Sequence, residues 1–304
     1  MACIEIKNLT KDYGLGRGIF DMNLKIEKGE VFGFVGTNGA GKTTTIRHLM
    51  GFLKPQSGTV TIHGRDCWRD AAEVKKWVGY LPGEIAFPDA ATGMDFLRNQ
   101  AELLGLKDMT YAKQIIERLQ LDPTAKLKRM SKGMKQKTAI VAALMATPDI
   151  LILDEPTTGL DPLMRAEFLR IMEEMKQLGK TIFMSSHMFD EVEQLCDSVA
   201  LIKDGRIIDV RATQEILRRT DRTCQIEFAS QAEYRRFLME SLQAAERDEG
   251  RNQVTVTVQQ HEINRLLNIL KHYDIKRLTQ VQYTLESYFN DLYRASAEQR
   301  RDRA

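Results

Sequence analysis

The chain is predicted to be an α/β protein with a parallel central sheet, followed by a small α+β domain. Three observations carry that expectation. Val31-Phe32-Gly33-Phe34-Val35 and Ile150-Leu151-Ile152-Leu153 are apolar at nearly every position, as strands covered on both faces of a parallel sheet are. A third run, Thr181 to Ser186, reads the same way. Directly behind the first run stands Gly36-Thr37-Asn38-Gly39-Ala40-Gly41-Lys42-Thr43, a full G-x-x-x-x-G-K-[ST] loop in the strand–loop–helix order that its mechanism requires.

The 304 residues leave room for two domains, expected at 1–219 and 220–304. Hydrophobic residues at 43% and charged residues at 28% are ordinary for a globular chain. A formal net charge of +2, without a basic stripe interleaved with aromatics, argues against nucleic acid as a partner. Cys3, Cys67, Cys196 and Cys224 are scattered, with no C-x-x-C spacing, and read as reduced thiols.

At the amino terminus, Met1 to Lys7 alternates like a strand and lacks the basic and apolar regions of a signal peptide. No stretch approaches the ~18 apolar residues of a membrane span. The best candidate, Ala139 to Leu153, is interrupted by Thr147, Pro148 and Asp149. The chain is therefore expected in the cytoplasm.

The glycine-rich loop implies a site for a nucleoside triphosphate. Glycines let the backbone approach phosphate closely, converging N–H groups bind its oxygens, and the helix starting near Gly41 adds its positive end. Lys42 is placed to reach the β and γ phosphates, and the Thr43 hydroxyl suits Mg²⁺. The candidate contact residues run from Gly36 to Thr44.

Two further polar sets follow apolar strands. Asp154-Glu155 ends the second run and His187 the third, so both fall at the carboxyl edge where open α/β sheets bind ligands. Asp154 suits a Mg²⁺ held through water. Glu155, a carboxylate not consumed by the metal, can orient or deprotonate an attacking water. Between these sets, Ser131 reads as the N-cap of a helix running through Met145. Ser131, the Gly133 amide and the helix's positive end can face a second anion, which suits a nucleotide held by another subunit.

These motifs, with Tyr13 before them and Gly159-Leu160-Asp161 between the acidic pair and His187, resemble the ATP-binding cassette (ABC) transporter ATPases over about residues 2 to 215. The resemblance implies a P-loop NTPase core of ABC type with a helical signature subdomain, and ATP and Mg²⁺ as cofactors. It also implies roles: Tyr13 stacks on adenine, Asp161 couples two sites across a dimer, and His187 contacts the γ-phosphate. The family signature Leu-Ser-Gly-Gly-Gln stands here as Met130-Ser131-Lys132-Gly133-Met134. That variant is similar to the drug- and antibiotic-exporting branch, whose membrane subunits are separate chains. A second departure is the missing Q-loop glutamine. In Val78-Gly79-Tyr80-Leu81-Pro82-Gly83-Glu84 its position falls on Gly83, and whether Glu84 substitutes is open.

The family so implied hydrolyses ATP as a head-to-tail pair, either a homodimer or two related ABC ATPases. An integral membrane permease would hold the pair at the inner face of the membrane, for export of a drug, antibiotic peptide or lipid-like cargo. The alternative is a soluble ABC ATPase acting on the ribosome or DNA. One cassette and no sustained heptads speak against it. Intact Lys42, Asp154 and Glu155 speak against a non-catalytic scaffold.

The carboxyl-terminal part carries no chemical constellation. Gln225 to Phe228 and Val254 to Val258 alternate as strands, and Ile275 to Val281 is a further candidate. Ala232 to Arg247 has helical spacing. Ile263, Leu266, Leu267 and Leu270 share a helix face, and Thr284 is expected to cap a short helix bearing Leu285, Tyr288, Phe289 and Leu292. A structural or regulatory role is expected for this domain.

Overall fold

The structure, a computed structural model, describes residues 2–88, 90–218, 221–240 and 244–301. The chain divides into two compact units, one reaching to Thr213 and the other starting at Gln214.

The first unit opens with β1 (Ala2–Asp12) and β2 (Gly18–Glu27), an antiparallel pair, then β3 (Val31–Val35) and α1 (Lys42–Leu49). β4 (Ser57–Ile62), β5 (Arg65–Asp66), α2 (Ala71–Lys75) and β6 (Val78–Leu81) follow. The helical segment comprises α3 (Gly93–Leu103), α4 (Thr110–Arg118) and α5 (Lys132–Leu144). Thr92 and Asp95 close a reciprocal capping box on α3, which fixes where that helix begins. β7 (Ile150–Asp154), α6 (Pro162–Gln177), β8 (Thr181–Ser186), α7 (Phe189–Leu195), β9 (Ser198–Lys203) and β10 (Arg206–Ala212) complete the unit.

Two sheets result. The outer one is antiparallel with order β2-β1-β4-β5; the central one has order β10-β9-β3-β8-β7-β6. Within the central sheet β9, β3, β8, β7 and β6 run parallel, and β10 closes one edge antiparallel to β9. The parallel register sets Val35 beside Ser186 and Asp154 beside Ser185. One edge of the sheet therefore collects the ends of β3, β8 and β7.

Packing follows the period of two along each strand. Phe32 and Phe34 join Phe183, Ile150 and Ile152 in a core shared with Ile4, Ile6, Met22 and Ile26 of the outer sheet and with Ile46 and Leu49 of α1. Each such fully buried side chain contributes about 1.5–3 kcal/mol through removal from water. Gly33, on the other face of β3, lies under α7: a Cβ there would come within 2.4 Å of a Val192 methyl. Arg118 on α4 grips α6, with its guanidinium nitrogens 2.6 and 2.8 Å from the Glu174 carboxylate and its Nε 2.6 Å from Glu167. This fork ties the helical segment to the central layer.

The second unit follows α8 (Thr213–Leu217) with β11 (Asp221–Phe228), α9 (Gln231–Phe237), β12 (Ala244–Asp248), β13 (Gln253–Gln259), α10 (Ile263–Leu270), β14 (Ile275–Val281) and α11 (Leu285–Arg301). Its antiparallel sheet has order β12-β13-β11-β14, and Ile226, Phe228, Val254 and Val256 pack on Tyr234, Phe237, Leu266 and Leu270. Two expectations are corrected here. The helix expected over Ala232–Arg247 ends at Phe237, and Ala244–Asp248 is a strand paired with β13. Pairing with a neighbouring strand overrides the helix preference of Ala and Glu there. The helix after Thr284 is not short but spans 17 residues, with the Ser287 N–H donating to the Thr284 hydroxyl.

Candidate functional site

The loop after β3 is held open by its own backbone. Gly39 and Gly41 have φ of 82° and 111°, which a side chain would oppose. Gly36 has no room for one, since a Cβ would meet the Ile202 carbonyl at 2.4 Å. Ala40 is buried, donates to Thr37 O at 3.1 Å and accepts from Gly205 N at 3.0 Å. Gly36, Thr37 and Ala40 thus shape the loop. Asn38, Gly39, Gly41, Lys42, Thr43 and Thr44 line a cavity of about 320 Å³.

Lys42 is 6% exposed, and its Nζ donates to Gly36 O at 2.7 Å and Thr37 O at 3.4 Å. The same ammonium stands 3.2 Å from Glu155 Oε1. The other Glu155 oxygen, Oε2, is 2.5 Å from His187 Nδ1. Glu155 therefore bridges the loop lysine and the histidine at the end of β8. It does so from a left-handed backbone, φ 50°, with its N–H held by Ser185 O at 3.2 Å and Ser185 Oγ at 3.1 Å. That reversal turns Glu155 into the cavity while Asp154 stays fully buried.

Asp154 Oδ1 accepts from Ser185 Oγ at 2.5 Å, and its buried Oδ2 has no hydrogen-bond partner. An orphaned carboxylate oxygen is costly unless a cation or water meets it. With the exposed Thr43 side chain on the cavity wall, the donor set is hard oxygen, which fits Mg²⁺.

Tyr13 lines the cavity opposite the loop, 54% exposed, with Lys11 Nζ 5.7 Å from its ring centroid. Arg17 and Gly18 line it as well, and sequence reasoning missed both. No motif marks them; the hairpin turn after Tyr13, where Tyr13 N donates to Arg17 O at 2.8 Å, brings them to the cavity.

The remaining candidates lie elsewhere. Ser131 caps α5, its hydroxyl accepting from Met134 N at 3.2 Å. Asp161 caps α6, its carboxylate accepting from Met164 N at 3.0 Å with Pro162 opening the helix. A Cβ on Gly133 would meet Gly159 O at 2.7 Å, so glycine is required there by the neighbouring loop. None of Ser131, Gly133 and Asp161 lines the Lys42 cavity. Glu84 does not line it either. It is exposed and sits with Lys132, Lys135 and Gln136, while Gly83 lies against Asp154, where a Cβ would be 3.0 Å from Oδ2.

Residues 19–158 match the family model described as ABC transporter. The chain is 34% identical over 231 residues to the bacitracin transport ATP-binding protein BcrA of Bacillus licheniformis, covering 75% of this chain and 76% of that one. It is 34% identical over 221 residues to the linearmycin resistance ATP-binding protein LnrL of Bacillus subtilis, covering 71% of each. The chain belongs to the ABC transporter ATP-binding family. A solved ATP-binding subunit of an ABC transporter superposes on this ABC ATPase with a TM-score of 0.65 at 31% identity, covering 71% of this chain and 92% of that one. The α/β core is accordingly an ABC-type P-loop NTPase that binds and hydrolyses ATP. Among the described residues no helix is long and apolar enough to cross a membrane.

Proposed function

We propose that this ABC ATPase powers export. In this reading two copies, or one copy and a related cassette, pair head to tail around two MgATP at the inner face of the membrane, where a separate permease carries the cargo. The observation that carries the reading is the division of the site. Glu155 contacts both Lys42 and His187, while Ser131, Gly133 and Asp161 lie outside the cavity that Lys42 and Glu155 line. A second chain would bring its Ser131 and Gly133, at the positive end of its α5, to the γ-phosphate. The names of the bacitracin and linearmycin relatives support a drug, antibiotic peptide or lipid-like cargo. Domain 1–219 holds the ATP site in this reading, and 220–304 is an accessory domain.

The chain's own groups divide the chemistry. Lys42 gives up its loop carbonyls to hold the β and γ phosphates, and Tyr13 stacks on the base. The Glu155 carboxylate accepts the proton of the attacking water, and His187 orients that carboxylate and hydrogen-bonds the γ-phosphate. Thr43 and Asp154 would hold Mg²⁺, which would supply neutralisation of phosphate charge when bound.

Glu155→Gln is the test. The amide keeps the shape and loses the base, so hydrolysis should fall by at least about a hundredfold, the usual contribution of a general base. ATP binding should persist, and MgATP should trap a dimer visible by size-exclusion chromatography. Hydrolysis at the wild-type rate would remove Glu155 from its role; a monomer with bound MgATP would remove the two-chain site.

A further inference from the structure

Beneath the acidic loop a buried ionic cluster lies outside the nucleotide cavity. Glu191, in the first turn of α7, is 1% exposed. Its Oε2 accepts from Thr157 Oγ1 at 2.9 Å and from Ser186 Oγ at 3.4 Å. Its Oε1 stands 3.2 Å from Arg165 Nε. The partners come from three segments: Thr157 stands just after Glu155, Ser186 just before His187, and Arg165 in the turn that Asp161 caps. One side chain thus fastens together the three stretches that bear Glu155, His187 and Asp161. Gln136 of α5 holds the same loop from another side, donating Nε2–H to Pro156 O at 2.7 Å.

A charge is an expensive means of fastening. Burial pushes the Glu191 carboxyl above its ordinary range, while the Thr157 hydroxyl and the Arg165 guanidinium pull it back. Buried ion pairs contribute little net stability, and apolar groups of similar volume are often at least as good. What the carboxylate supplies that an apolar side chain cannot is direction, through bonds to fixed donors. Direction is what the neighbouring residues require: Glu155 sits in an αL conformation and must meet both Lys42 and His187. A displacement of about 1 Å in such a constellation can cost about a hundredfold in rate.

We propose that Glu191 is a positioning residue for ATP hydrolysis, holding the 155–161 loop against the end of β8 so that Glu155 and His187 stay in register. The assignment rests on the reading of Glu155 and His187 given above. It acts through Thr157 and Arg165, and it touches neither nucleotide nor water itself.

The test is a double-mutant cycle on turnover. Glu191→Gln keeps the volume and an acceptor for Thr157 but loses the charge facing Arg165. Thr157→Val removes the donor hydroxyl and keeps the shape. Each should lower kcat by about tenfold while KM for ATP stays within about twofold, because the loop around Lys42 is untouched. The double variant should lose less than the product of the two single losses, since both loosen the hold of one side chain on the same loop. Thermal midpoints are measured alongside. A lowered midpoint with unchanged kcat, or losses in kcat that simply multiply, would overturn the assignment. If Glu191→Gln cannot be purified folded, Thr157→Val alone decides, and an unchanged kcat overturns it. Glu155→Gln, assayed in parallel, separates the two failures: activity surviving there refutes the base and not the tie.

Discussion

Replacing Lys42 by Met tests how much of the affinity for ATP rests on a single ammonium. Met keeps most of the aliphatic stem, so the substitution removes the charge and its three contacts with little change in volume. Those contacts are Gly36 O at 2.7 Å, Thr37 O at 3.4 Å and Glu155 Oε1 at 3.2 Å, around a nitrogen that is nearly out of solvent. On nucleotide binding the ammonium exchanges these partners for phosphate oxygens. A hydrogen bond to a charged group is worth about 1.5–3 kcal/mol net. The substitution should therefore weaken ATP binding by about 10- to 150-fold. AMP, which lacks the β and γ phosphates, should lose much less. Isothermal titration calorimetry with both nucleotides measures the two effects, and circular dichroism confirms the fold. An unchanged ATP Kd would refute the reasoning. Equal losses for ATP and AMP would also refute it, because the lysine would then be serving only to brace the loop carbonyls.

Three other outcomes are expected. Gly79→Ala should destabilise the protein by about 1–3 kcal/mol in urea denaturation, because its Cβ would meet the α5 carbonyl of Ala143 at 2.2 Å; an unchanged midpoint would mean that β6 and α5 separate freely. His48 is held below its ordinary pKa of 6.5 chiefly by burial, so the folded state resists the proton that the unfolded chain accepts. Stability should therefore drop as pH falls below about 6.5, and His48→Gln should show a shallower loss between about pH 7 and 5 in urea titrations, an equal slope refuting it. A chain ended after Arg219 should keep its ATP affinity, since every residue placed around the cavity precedes His187 or is His187. Lost affinity with an intact circular dichroism spectrum would mean that the accessory domain reaches the site.

Legibility in the sequence followed burial. The strands that carry Lys42, Asp154 and His187 at their ends are apolar on both faces, and such runs are hard to mistake. The loop motif was legible because four fixed residue types at set spacing within eight positions specify it. β12 was misread because Ala244-Ala245-Glu246-Arg247-Asp248 has a helix former's composition, and only its pairing with β13 makes it a strand. Arg17 was missed because a hairpin turn brings it to the cavity, and no spacing rule records that fold-back. The Glu191 cluster was invisible for a related reason. Thr157, Arg165, Ser186 and Glu191 are common surface residue types, each unremarkable alone, and only the packing of α6 and α7 against the loop makes them one group.

The left-handed backbone at Glu155 has a consequence for how this protein would evolve under different demands. A non-glycine residue there holds about 1–2 kcal/mol of conformational strain that glycine would release. Glycine would also leave the Ser185 contacts to its N–H in place, and Lys42, though losing its ion pair, would keep its bonds to Gly36 O and Thr37 O. The chain is thus poised to become sturdier by erasing the side chain that bridges Lys42 and His187. A library selected for heat resistance alone should enrich glycine at position 155, and one selected for turnover should purge it. The two selections pull one codon in opposite directions, so its fate in a lineage reports whether turnover is still being demanded.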